Sequence, residues 1–152
     1  MSDGKLLTKE IAEQFLVRGV FSMSYQFTAI EDAAAESLLK RKGRWWGFFS
    51  PPELDLNGLT ELSDAAAESL SKYKGDLRLE GLTELSDAAA ESLSKCCGIL
   101  WLGGITELSD AAAESFSKND SIVDLNEDSF SESAVKILVD ADILLRPSNK
   151  FH

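Results

Sequence analysis

The residues of this chain that could do chemistry are few and fall into three sets. Carboxylates recur at a fixed spacing, at Asp64, Asp87 and Asp110 and again at Glu68, Glu91 and Glu114. A row of acids could attract calcium, but that ion needs a loop of alternating Asp, Asn and Gly, and these acids stand where helices begin. They read as helix caps, with Glu68, Glu91 and Glu114 as solvated partners of Lys72, Lys95 and Lys118. The second set is a pair of adjacent thiols, Cys96 and Cys97, in the places that Tyr73 and Lys74 hold one copy earlier. A bond between neighbours would close a strained ring, so both are expected to be free. The third set makes contacts rather than bonds: Arg78, Trp101 and the aromatic run Trp45, Trp46, Phe48 and Phe49. The one histidine is His152, and there is no Gly-rich phosphate loop, HExxH, GxSxG or Cys-x-x-Cys. No enzymatic activity, metal or cofactor is expected.

Composition limits the partners. The chain has 152 residues, of which 44% are hydrophobic and 27% charged, enough to build a core in one domain. Lys plus Arg is 15 against Asp plus Glu at 26, a net charge of −11. That balance argues against nucleic acid and against an anionic membrane surface. No segment approaches the ~20 consecutive apolar residues that span a bilayer. Met1 to Thr8 carries no basic stretch followed by an apolar run, so no secretory leader is expected. Free thiols suit a reducing interior, which makes the cytoplasm the expected location.

These residues are positioned by a repeat. Leu54–Asp76, Leu77–Ile99 and Leu100–Ile122 are three copies of 23 residues. The core LTELSDAAAESLSK recurs unchanged at 59–72 and 82–95, and at 105–118 differs only by Ile105 and Phe116. Ser22 to Gly43 is a weaker copy from Thr28 onward, 23 residues plus an insertion of 9 ahead of the next. Val123 to Leu145 is a degenerate last copy, and Leu6 to Val20 resembles the helical half of a first. The chain is therefore expected to be a single repeat domain over 1–152. It comprises an N-terminal capping helix in 1–21, repeats over 22–122 with an insertion at 44–53, and a last repeat and cap in 123–152.

Each copy reads as a short strand and a helix. Leu54-Asp55-Leu56 alternates apolar and polar, as a strand with one buried face does. Ser63 or Asp64 caps a helix of strong helix formers, Ala65 to Ala67, with Lys72 in its last turn and Gly75 as its stop. The equivalent stops are Gly98 and Asn119. No copy can bury its apolar side alone, so the copies are expected to stack, strands pairing in parallel and helices on the other side.

The recurring Leu-x-Leu-x-x-Leu-x-x-Leu at 54–62, 77–85 and 100–108 resembles the leucine-rich-repeat proteins. It looks most like a bacterial form with 23-residue units built around Leu-Ser-Asp-Ala-Ala-Ala-Glu. The resemblance covers Ser22 to Leu145 and is strongest over 54–122. It implies an α/β right-handed solenoid bent into a horseshoe, strands concave and helices convex, that serves as a scaffold for protein interactions. At Leu59, Leu82 and Ile105 the chain lacks the family's ladder Asn, so its turn is expected to close differently.

Two surfaces are candidates for a partner. Stacking aligns Asp55, Arg78, Trp101 and Asp124 in one outward column, and Asn57, Glu80, Gly103 and Asn126 in the next. These positions vary between copies while the cores barely do. Arg78 and Trp101 are the expected anchors; a solvated sheet face with one stray aromatic is the alternative. The insertion 44–53, with Trp45 and Trp46, either exposes an aromatic patch or plugs core between copies, the latter being preferred. Ile11, Ala12, Phe15 and Leu16 make a stripe suited to capping the N-terminal end, and Ile143-Leu144-Leu145 offers a last strand. The expected function is non-catalytic binding of another protein, with homodimerisation through 44–53 or 143–145 as the alternative.

Overall fold

A 23-residue copy folds as a two-residue strand, a tight turn and a helix of two turns, and it is completed by its neighbours. The structure is a computed structural model that describes residues 5–18, 27–39, 53–118, 122–126, 130–143 and 145–146. In chain order its elements are β1 (Leu6–Leu7), α1 (Lys9–Arg18), β2 (Ala29–Ile30), α2 (Asp32–Leu39), β3 (Leu54–Asp55), α3 (Asp64–Ser71) and β4 (Leu77–Arg78). They continue as α4 (Asp87–Leu93), β5 (Leu100–Trp101), α5 (Asp110–Ser117), β6 (Val123–Asn126), α6 (Glu132–Asp140) and β7 (Leu145–Arg146). Among the described residues the chain is thus α/β, with six strand–helix units and a further strand. Strands β3 to β7 pair in sequence order in one open five-stranded sheet, and β1 pairs with β2. Every pairing is parallel.

Register follows the repeat. Leu54, Leu77, Leu100 and Val123 stand side by side, as do Asp55, Arg78, Trp101 and Asp124. The strand backbones satisfy one another: Leu56 N–H donates to the Arg78 carbonyl, Leu79 N–H to that of Trp101, and Leu102 N–H to that of Asp124, each at 2.9 Å. Behind the sheet, Leu56, Leu59, Leu79, Leu82, Leu102 and Ile105 are fully buried. Ala66, Ala67, Ala89, Ala90, Ala112 and Ala113 have no exposure at all, because a methyl group is all that fits where neighbouring helices meet.

The turn after each strand closes by a backbone bond rather than through a ladder Asn. Leu59, Leu82 and Ile105 donate N–H to the carbonyls of Leu56, Leu79 and Leu102 at 3.0, 3.2 and 3.1 Å. Glycine is required in this turn by close approach: a Cβ at Gly81 would lie 2.1 Å from the Asn57 carbonyl oxygen, and one at Gly104 1.9 Å from that of Glu80.

The helix starts correct the sequence reading. Ser63, Ser86 and Ser109 are the caps, each accepting from the N–H of the Ala three residues on at 3.0 Å. Asp64, Asp87 and Asp110 are the first helical residues, not caps. Their carboxylates reach to the following unit, where Ser86 Oγ donates to Asp64 and Ser109 Oγ to Asp87, both at 2.5 Å. Ser63 does the same to Asp32, and Ser133 donates to Asp110 at 2.8 Å. A hydroxyl both donates and accepts, so one serine satisfies its own helix and binds the unit before it.

The helix ends differ from expectation too. Helix α3 ends at Ser71 with Lys72 as its cap in right-handed geometry, ahead of Gly75. Buried Tyr73 turns the chain back to the core, and Gly75 lies in the turn to β4, where a Cβ on Gly98 would be 2.5 Å from its carbonyl. Asn119 lies outside the described residues. Lys72, Lys95 and Lys118, although at or beyond the helix ends, pair with Glu68, Glu91 and Glu114 at 3.8, 3.5 and 3.6 Å. Helix α6 ends at Asp140 with Ala141 as its cap, and Asp142 just beyond has a φ of 61°; Ile143 N–H returns to the Leu138 carbonyl and Asp142 N–H to that of Val139, both at 3.0 Å. The last strand, expected at 143–145, is Leu145–Arg146, with Leu125 opposite Leu145.

Gly81→Ala should cost about 2–4 kcal/mol in urea unfolding, because backbone must move to admit the methyl. Gly103→Ala, with nothing within 4 Å of its Cβ position, should stay within about 0.5 kcal/mol of the parent. Ser86→Ala should cost about 1–2 kcal/mol; a double-mutant cycle with Asp64→Ala should return a non-zero coupling, since the two side chains share a hydrogen bond.

Candidate functional site

The outer side of the sheet is built by alternation. In each strand the leucines on either side of the middle residue turn inward, so that residue and the one preceding the strand face out. The expected first column is therefore assembled as read: Asp55, Arg78, Trp101 and Asp124 are consecutive partners across four strands and all are half-buried.

Arg78 organises this face. Its Nη1 lies 3.5 Å from Glu53 Oε1 and its Nη2 3.2 Å from Glu80 Oε2. The guanidinium carbon stands 5.5 Å from the centroid of the Trp101 ring, within cation–π range. Desolvation works against the Arg78 charge, but the carboxylates of Glu80, Glu53 and Asp55 outweigh it and hold its pKa above the ordinary value. Strand pairing sets the indole and the guanidinium side by side, and the two glutamates fix the guanidinium from the polar side.

The second column is only partly an outward one. Asn57 is buried rather than presented to solvent. Its Oδ1 accepts the Glu80 N–H at 2.9 Å, its Nδ2 donates to Glu80 Oε2 at 3.3 Å, and its own N–H donates to Asp55 Oδ1 at 3.1 Å. The tight turn folds the amide back over the sheet, where it clips one unit to the next. Glu80, Gly103 and Asn126 are half-buried. Trp45 and Trp46, with the rest of 44–52, lie outside the described residues, as do Leu144 and the side chains of Phe15 and Leu16.

Sequence reasoning missed a third column. Glu53, Asp76, Ile99 and Ile122 each precede a strand and face the same way as its middle residue. Asp76 Oδ1 accepts the Ile99 N–H at 2.8 Å, and Ile122 is 57% exposed. The signal was period two extended one step before the Leu-x-Leu motif. With this column the face divides: β3 and β4 carry charged groups, while on β5 and β6 the apolar Trp101, Ile99 and Ile122 stand beside Asp124.

On the helical side, an open groove of about 680 Å³ lies between α3 and α4, lined by Lys72, Lys74, Lys95, Glu68, Glu91 and Cys97 among others. The two cysteines part company here. Cys96 takes the buried place of Tyr73, and desolvation, with Cys97 beside it, pushes its thiol up to about 12; Cys97 is exposed. Among the described residues no cluster of His, Cys, Asp and Glu is arranged to hold a metal ion. No helix among them is long and apolar enough to cross a membrane. In comparison with known proteins, the chain matches no family model, no curated protein and no solved structure.

The thiols give a direct check. Because the thiolate is the nucleophile and burial disfavours it at Cys96, iodoacetamide at pH 8 should alkylate exposed Cys97 in the folded protein more than roughly tenfold faster than Cys96. Peptide mapping by mass spectrometry reads the ratio, and the difference should vanish in denaturant.

Proposed function

We propose that this chain is a non-catalytic protein-binding scaffold that docks a partner on the outer side of its sheet. The reading takes the stack as a leucine-rich-repeat-like right-handed solenoid. Strands spaced ~4.8 Å apart and helices needing ~8–10 Å would bend it into an arc with the sheet concave, and the buried alanines would make that arc gentle. The observation that carries the function is the Arg78–Trp101 pair, half-buried at the middle of the face and held by two carboxylates. Trp and Arg in such positions are the usual anchors of interfaces, and fixing them in advance lowers the entropy lost on docking. Positions on this face differ between copies, as do those just after each helix, while the helices themselves repeat nearly unchanged, as expected of a common frame carrying a particular surface. The two free thiols fit a cytoplasmic setting.

Self-association is the second reading, favoured by Val139, which is 56% exposed on the last helix. Two measurements separate these readings. The immobilised parent should retain a partner from lysate that Arg78→Ala/Trp101→Ala does not, with unchanged circular dichroism and melting. Equal retention by both proteins, or none by the parent, would defeat the docking proposal. A concentration-dependent dimer by light scattering would favour self-association.

A further inference from the structure

We infer that the segment docking on this face is basic: an extended stretch of another protein that presents Lys or Arg beside an apolar side chain. The inference rests on the docking reading above and adds the chemistry of the partner.

Charge is the first argument. Among the described side chains, Glu53, Asp55, Asp76, Glu80 and Asp124 stand on the sheet side around the Arg78 guanidinium, with Arg146 entering only on the last strand, in register with Asn126, in a chain of net charge −11. Arg78 is already engaged by Glu53 and Glu80, so the field that a partner meets is negative. An acidic segment or a nucleic acid would be repelled.

Shape is the second argument. Arg78 shows within the protein what this face holds, a guanidinium between carboxylates and an indole. One strand further on, Trp101 is followed in register by Asp124, an indole beside a carboxylate. Two residues along from Trp101, Gly103 leaves open space, with no atom within 4 Å of its Cβ position. A Lys or Arg stem fits over the bare Gly103 backbone and the Trp101 ring, its head at Asp124 or Glu80. Beside it, Ile122 at 57% exposure and half-buried Ile99 give an apolar neighbour its place.

The test uses the whole protein and two labelled synthetic peptides, one alternating Lys and Val, the other Glu and Val, read by fluorescence anisotropy. The basic peptide should bind and weaken about tenfold between ~50 and ~300 mM salt, as screened charges do. Trp101→Ala and Asp124→Asn should each weaken it by about fivefold. Glu91→Gln, which removes an acid from the helical side, should leave it unchanged. Trp101→Phe and thermal melting guard against a folding defect: the phenyl variant should retain part of the binding. Failure of the basic peptide to bind, equal binding of the acidic one, or an equal loss in Glu91→Gln would overturn the inference. A captured protein that depends on Trp101 but binds independently of salt would overturn the basic partner and leave the docking face standing. Loss of dependence on Trp101 in both assays would overturn both.

Discussion

A strand of two residues and a helix of two turns cannot satisfy their own hydrogen bonds or bury their own apolar side. Every strand amide here needs a carbonyl one unit away, and every buried leucine needs neighbours from adjacent copies. Spacing by 23 residues is the constraint from which the rest follows, because it returns each donor to the same height as its acceptor. Gly81 and Gly104 bring the backbones close enough, the alanines let the helices follow, and Ser86 and Ser109 tie each helix start to the one before. These devices act on the same distance, and loosening one strains the others.

Because the frame is so uniform, its outer positions are free to differ without disturbing the stack. Asp55, Arg78, Trp101 and Asp124 succeed one another with unlike chemistry at a common register. Their order matters. Arg78 stands between two acids and an indole because the strands beside it bring Glu53 and Trp101 within reach, and Glu80 lies two residues along its own chain. The polar network at one end and the apolar group at the other are thus products of the stacking and not of any single unit.

Much of this was legible in the sequence. The repeat length fixed which residues stand side by side, and the Leu-x-Leu alternation placed the first outward column correctly. The parts that escaped depend on where a side chain bends rather than which way it starts. Asn57 was read as outward from its step along the strand, but the tight turn swings its amide back over the sheet to the Glu80 N–H. Asp64 was read as a cap because acids favour helix starts; the choice between Ser63 and Asp64 turns on one residue of phase, which short helices specify weakly. Gly75 was read as a stop from its type, whereas burial of Tyr73 ends the helix earlier. The adjacent Gly103 and Gly104 show the same division: the repeat puts Gly104 in the place of Gly81, and both approach a carbonyl, while Gly103 in the place of Glu80 faces open space.

The serine–aspartate link joins Ser63 to Asp32 across 31 residues as it joins Ser86 to Asp64 across 22. The geometry of the helix starts is therefore indifferent to nine additional residues spliced in ahead of a strand. An architecture latched in this way can accept new loops on that side without renegotiating its spine, so length becomes a variable that duplication and insertion can tune separately. For a graft, the connection leading into a strand is the tolerant place, and the stretch from turn to helix start, Asn57 to Asp64 in the first full copy, is not.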